Sequence, residues 1–103
     1  MAELTVIWWR DIPAQVVAKR GRTAARVQLT TRFQEAIDMA ATRVGLIGTD
    51  DYLNEWHRET RPCGDDLDAE AAAEAERLEQ MYTDAALDTL VRAGGLADAG
   101  GSA

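Results

Sequence analysis

The sequence predicts an α+β domain: a small antiparallel sheet of about three strands at residues 3–10, 14–20 and 23–29. Helices at 31–44 and 50–60 and a long C-terminal helix at 66–93 pack on it. Three observations carry that reading. β-branched and aromatic residues crowd the N-terminal third, the hydrophobic spacing turns helical at Thr31, and the last third is rich in alanine and glutamate. The length of 103 residues fits one domain, assigned to residues 1–93, with a disordered Gly/Ala tail expected at 94–103. A hydrophobic content of 47% and a charged content of 28% exclude global disorder.

The first strand, ELTVIWWR, has apolar residues on both faces: Leu4, Val6 and Trp8 on one, Ile7 and Trp9 on the other. Such a strand belongs in the middle of a sheet. Pro13 lacks an N–H, so the ladder must stop or bulge near Asp11-Ile12-Pro13. Residues 14–29 form a hairpin with a basic tip, in which Gly21 supplies the positive φ of a tight turn. A turn centred on Arg20-Gly21 would set Lys19 against Arg22, a like-charge pair that needs solvent or an anionic partner.

Thr31 followed by Gln34 has the form of a capping box. Phe33, Ile37, Ala40, Ala41 and Val44 then make one helical face that ends at Gly45. Thr49 opens the next helix, with Asp50 and Asp51 in its first turn and Tyr52, Leu53 and Trp56 as its apolar face. Arg61-Pro62-Cys63-Gly64-Asp65 breaks it. The last helix places Leu67, Ala71, Ala75, Leu78, Met81, Tyr82, Ala85 and Leu90 along one stripe, and Gly94-Gly95 stops it.

Charge is divided along the chain. Residues 1–61 hold nine Lys or Arg against eight Asp or Glu, whereas residues 62–103 hold two against ten, so the net −7 belongs to the C-terminal third. The lone Cys63 allows no internal disulfide and fits a reducing compartment. No secretory signal pattern and no membrane-spanning apolar run is read, which makes the cytoplasm the expected compartment.

Few residues point to chemistry. The hairpin cations Lys19, Arg20, Arg22 and Arg26 suit an anionic partner surface, a weak contact to nucleic acid, or simple solvation. Recognised nucleic-acid motifs are missing and the chain is acidic overall, so nucleic acid is not the expected partner. His57 and Cys63 are single residues of their kinds; as a nucleophilic pair they would define a small enzyme or redox protein, and they are too few for a structural zinc site. The acids of the last helix lack a calcium-loop spacing. No cofactor and no metal is expected, and a non-catalytic protein is favoured over an enzyme. Adjacent strand positions send Trp8 and Trp9 to opposite faces, so one of them needs a second layer, either this chain's own helix or another protein. Trp8, Trp9, Arg10 and Asp11, with the basic hairpin, therefore form the expected contact surface, since Trp and Arg dominate interface hot spots.

The run VIWWRDIPAQVVAKRGRTAARVQLTTRFQEAIDMAA, followed by DDYLNEW and GDDLDAEAAAEAERLE, resembles the small bacterial domain family called virulence factor. Its members share a WRDIPAQV-like core, a hairpin and an RFQEAID-type helix start, and the resemblance covers nearly residues 4–90. It supplies no catalytic residues. Related domains beside Nfu-type and HEAT-repeat segments imply an adaptor-like module. Stand-alone members encoded near folate and corrinoid methyl-transfer enzymes imply an accessory role in one-carbon metabolism, with such an enzyme as protein partner.

Overall fold

In the computed structural model, which describes residues 1–97, strand β1 (Glu3–Trp9) sits between two neighbours, as its two apolar faces require. β2 (Ile12–Arg20) and β3 (Thr23–Gln28) lie on one side of it. On the other side lies a fourth strand, β4 (Trp56–Pro62), giving an antiparallel sheet of order β3-β2-β1-β4. The remaining elements are α1 (Thr31–Arg43), α2 (Asp50–Asn54), α3 (Leu67–Met81) and α4 (Asp84–Arg92).

The α+β class holds, with corrections of detail. The expected helix at 50–60 ends after Asn54, and its second half is β4. Trp56-His57-Arg58-Glu59-Thr60-Arg61 is polar on both faces, so it carries no period-two signal; pairing along the whole of β1 makes it a strand. The expected long helix is interrupted at Tyr82-Thr83. There the Thr83 hydroxyl caps α4 by accepting from the Ala86 N–H, and Arg32 donates to the carbonyls of Glu79 and Tyr82 at the end of α3.

Pro13 does break the ladder. Ile7 faces Gln15 while Trp8 faces Pro13, leaving Ala14 as the bulged residue, whose carbonyl accepts the Leu29 N–H. The hairpin turn falls one residue later than the expected centre: Arg20 pairs with Thr23, and Lys19 faces Ala24 rather than Arg22. The predicted like-charge pair is thereby avoided. The capping box is also not used. Thr30 is the N-cap of α1, and its N–H and hydroxyl both donate to the Glu79 carboxylate of α3, at 2.7 and 3.0 Å.

α3 lies along β2 and β3, with Ala71 and Ala75 buried, so its small residues permit close approach to the sheet. α1 crosses β2 and packs against α4. Leu4, Val6, Val16 and Ala18 of the sheet, Phe33 and Ile37 of α1, Leu78 of α3 and Leu90 of α4 belong to one core. No helix of the described residues is long and apolar enough to cross a membrane.

Candidate functional site

The residues singled out from the sequence fall in three places. The first is internal. Trp9 pairs with Ile12, so Arg10 and Asp11 are the two-residue connection of the β1–β2 hairpin, and Arg10 takes a left-handed φ of 53°. Tight hairpins need positive φ, yet for arginine this costs about 1–2 kcal/mol. Several contacts hold the strained residue. Its N–H donates to the Glu55 carbonyl at 3.1 Å, its Nε to the Glu55 carboxylate at 3.1 Å and its Nη1 to the Gly94 carbonyl at 2.9 Å. The guanidinium also lies 5.2 Å from the centre of the Trp9 ring, and the His57 Nε2–H donates to the Arg10 carbonyl at 2.7 Å.

Trp9 itself is fully buried. Its indole N–H donates to the Tyr52 carbonyl at 3.0 Å, and its ring packs against the Tyr52 ring. Burial, then the Asp38 charge, pushes the Tyr52 phenol up from its ordinary value. Gly95 closes the other side: a side chain there would stand 2.7 Å from the Trp9 ring, and its φ of 91° already demands glycine. The Asp11 N–H donates to the Gly95 carbonyl, and the Asp11 carboxylate accepts the Ala97 N–H. The second layer over Trp9 is therefore this chain's own α2 and the turn after α4. Residues 94–97 are part of this assembly rather than a free tail, and 98–103 lie outside the described residues.

The second place is a groove beside β4. Trp8 is half-buried, stacked on His57 with ring centres 6.4 Å apart and edge-on to Tyr82 at 6.2 Å. Its indole N–H is buried without a partner among the described residues. Trp8 and Glu59 line two adjoining cavities of about 310 and 210 Å³. The larger is walled by Glu74, Arg77 and Arg61, the smaller by Asp11, His57 and Tyr82. Glu74 is buried and accepts from Arg77 at 2.9 and 2.6 Å and from Arg61 at 3.3 Å; the Arg77 hydrogen bonds, against burial, hold its carboxyl below the ordinary range. Tyr82 is pushed up by burial and then by Asp11, so it stays a neutral hydroxyl.

The third place is the sheet face turned away from α3. Glu3, Thr5 and Ile7 of β1, Val17 and Lys19 of β2, Arg26 of β3 and Arg58 of β4 line a concavity of about 250 Å³, with no helical residue in its wall. The register sets Arg26, Val17, Thr5 and Thr60 in one row across all four strands. Among the described residues, Lys19, Arg26 and Arg58 form no ion pair and no side-chain hydrogen bond. Arg10, Arg20, Arg32, Arg61, Arg77 and Arg92 each reach a carboxylate. Arg20 leaves the hairpin cluster to meet Asp65 at 3.6 Å, and Arg22 is exposed at the turn. Arg58 is the member that sequence reasoning missed, because it was assigned to a helix; only the pairing of β4 with β1 brings it to this face.

The Cys63–His57 dyad does not form. The two residues sit at opposite ends of β4, and six residues of extended chain span about 20 Å. Cys63 is further disarmed as a nucleophile, since burial and then the Glu70 carboxylate raise its thiol above the ordinary value.

The fold and these surfaces define a small α+β domain with a latched hairpin and an uncovered basic sheet face. The chain belongs to the virulence factor family, whose model matches residues 7–91, from the middle of β1 to the end of α4. No curated protein and no solved structure matches it.

Proposed function

We propose that this domain is a non-catalytic interaction module, an accessory that binds a protein partner in the cytoplasm through the uncovered face of its sheet. The supporting observation is the contrast in charge pairing. A chain of net charge −7 pairs Arg10, Arg20, Arg32, Arg61, Arg77 and Arg92 with carboxylates, yet among the described residues three cations gathered on one face, Lys19, Arg26 and Arg58, have no such partner. Unpaired cations around apolar side chains have the composition of a contact surface. Family resemblance adds a candidate partner, a folate- or corrinoid-dependent methyl-transfer enzyme of one-carbon metabolism.

Affinity purification of the tagged chain from its own cells at low salt, followed by mass spectrometry, tests this reading. A stoichiometric partner is expected, and a methyl-transfer enzyme among the bound proteins would support the one-carbon role. Recovery of the chain alone, at every salt concentration tried, would overturn the module reading.

A further inference from the structure

We propose that the uncovered face seats an acidic amphipathic helix of the partner protein; the proposal rests on the interaction-module reading and specifies its chemistry. Charge comes first. Three cations without carboxylate partners surround the concavity against the single carboxylate of Glu3, so the complementary surface is acidic. Shape comes second. Arg26 on β3 and Arg58 on β4 stand three strand spacings apart across the sheet, about 14 Å, and two residues apart along it, and a helix with side chains is about 10–12 Å across. A helix laid between them would rest an apolar ridge on the half-buried Ile7, with the buried Val17 beneath the neighbouring stems. Acidic residues on its two flanks would then reach Arg26 on one side and Arg58 on the other, with Lys19 beyond.

Backbone accounting favours a helix over an extended segment. A strand laid flat on the middle of a sheet face leaves its N–H and C=O groups facing side chains, whereas a helix satisfies its own. Nucleic acid is the weaker fit, because Glu3 lies among the cations and the rest of the chain carries a large negative excess.

The test is a titration of the ¹⁵N-labelled full chain with a synthetic helical peptide of about 18 residues, five turns, with one leucine ridge flanked by glutamates. Expected are saturable shifts at Ile7, Val17, Lys19, Arg26 and Arg58, weakening with salt, and an affinity about tenfold lower for Arg26→Ser/Arg58→Ser. Absence of shifts, or shifts centred on α1 and α4, would overturn the proposal. So would equal binding of the same face to unstructured polyglutamate, or to duplex DNA, which would make it a general anion surface. A cellular partner that the double variant captures as well as the native chain does would also overturn it, and with it the assignment to this face, while leaving the chain a partner-binding module. Failure to capture any partner strikes the module reading instead.

Discussion

The two ends of the Arg10–Lys19 strand-and-turn region treat charge in opposite ways. At Arg10 the guanidinium, the backbone N–H and the carbonyl each have a partner: Glu55 at the end of α2, Gly94 in the turn after α4, or His57 of β4. Around the concavity at the other end, the side-chain cations of Lys19, Arg26 and Arg58 have no hydrogen-bond or ion-pair partner among the described residues. The difference teaches which part of the molecule is committed to its own fold and which is left available. The sequence stretch with the most unusual composition, Trp8-Trp9-Arg10-Asp11, is largely the former. It ties the first hairpin to β4 and to the chain's C-terminal turn, so residues far apart in sequence are joined at one point.

The strongest way to break this contrast is at Trp9. Removing its fully buried ring in Trp9→Ala should cost about 3–5 kcal/mol, read as a lowered urea midpoint, and should loosen the turn at Gly95. A loss below about 1 kcal/mol would return Trp9 to the surface. Next is Arg10. Arg10→Ala removes charge-assisted hydrogen bonds to Glu55 and Gly94 and should cost about 2 kcal/mol. Arg10→Gly loses the same contacts but relieves the left-handed backbone, so it should be the more stable of the two by about 1 kcal/mol. Equal stabilities would remove strain from the account.

These outcomes bear on what was legible beforehand. The strands around the first hairpin, α1 and the break at Pro13 were readable because apolar periodicity and proline chemistry act locally. Gly45 also acted locally: its N–H and that of Leu46 bond back to Thr42 and Ala41, ending α1 where the sequence places the stop. β4 was not readable, because its residues are polar on both faces and only the free edge of β1 makes them a strand. The division at Thr83 carried a local signal, a Thr-Asp start before Ala-Ala-Leu, outweighed by strong helix propensity on both sides. The site was legible in part. Lys19 and Arg26 were identified, but Arg58 joins them only through the four-strand register, which no local pattern contains.

Acid should weaken the fold through two carboxylates of α3, the buried Glu74 and the half-buried Glu79. Glu74 and Glu79 are both held below the ordinary value of 4.5. For Glu74 the cause is the Arg77 hydrogen bonds; for Glu79, the hydrogen bonds from Thr30 and Arg32 overcome burial. Their contribution is fully present above that pH and is lost as pH falls through the depressed folded-state values. Glu74→Gln should therefore lower stability at pH 7 by about 1–2 kcal/mol and flatten the acid limb of a pH–stability curve. An unchanged acid limb would show that Glu74 does not govern it.

The smallest effect on stability belongs to the open face, and it makes the sharpest test of the contrast. Arg26 and Arg58 are exposed, line the same concavity, and form no ion pair among the described residues. Replacing both with serine removes two exposed charges and little packing, so the unfolding free energy from urea titration should move by no more than about 0.5 kcal/mol in either direction. Because the two changes lie on different strands three spacings apart, their stability effects should add. A double variant that folds as the native chain does, yet loses its partner, separates binding from folding as Arg10 variants cannot. If the serine pair instead destabilised the chain as much as Arg10→Ala, the aliphatic stems of these arginines would be the roof over Ile7 and Val17. The face would then be a finished surface with no vacancy for another protein.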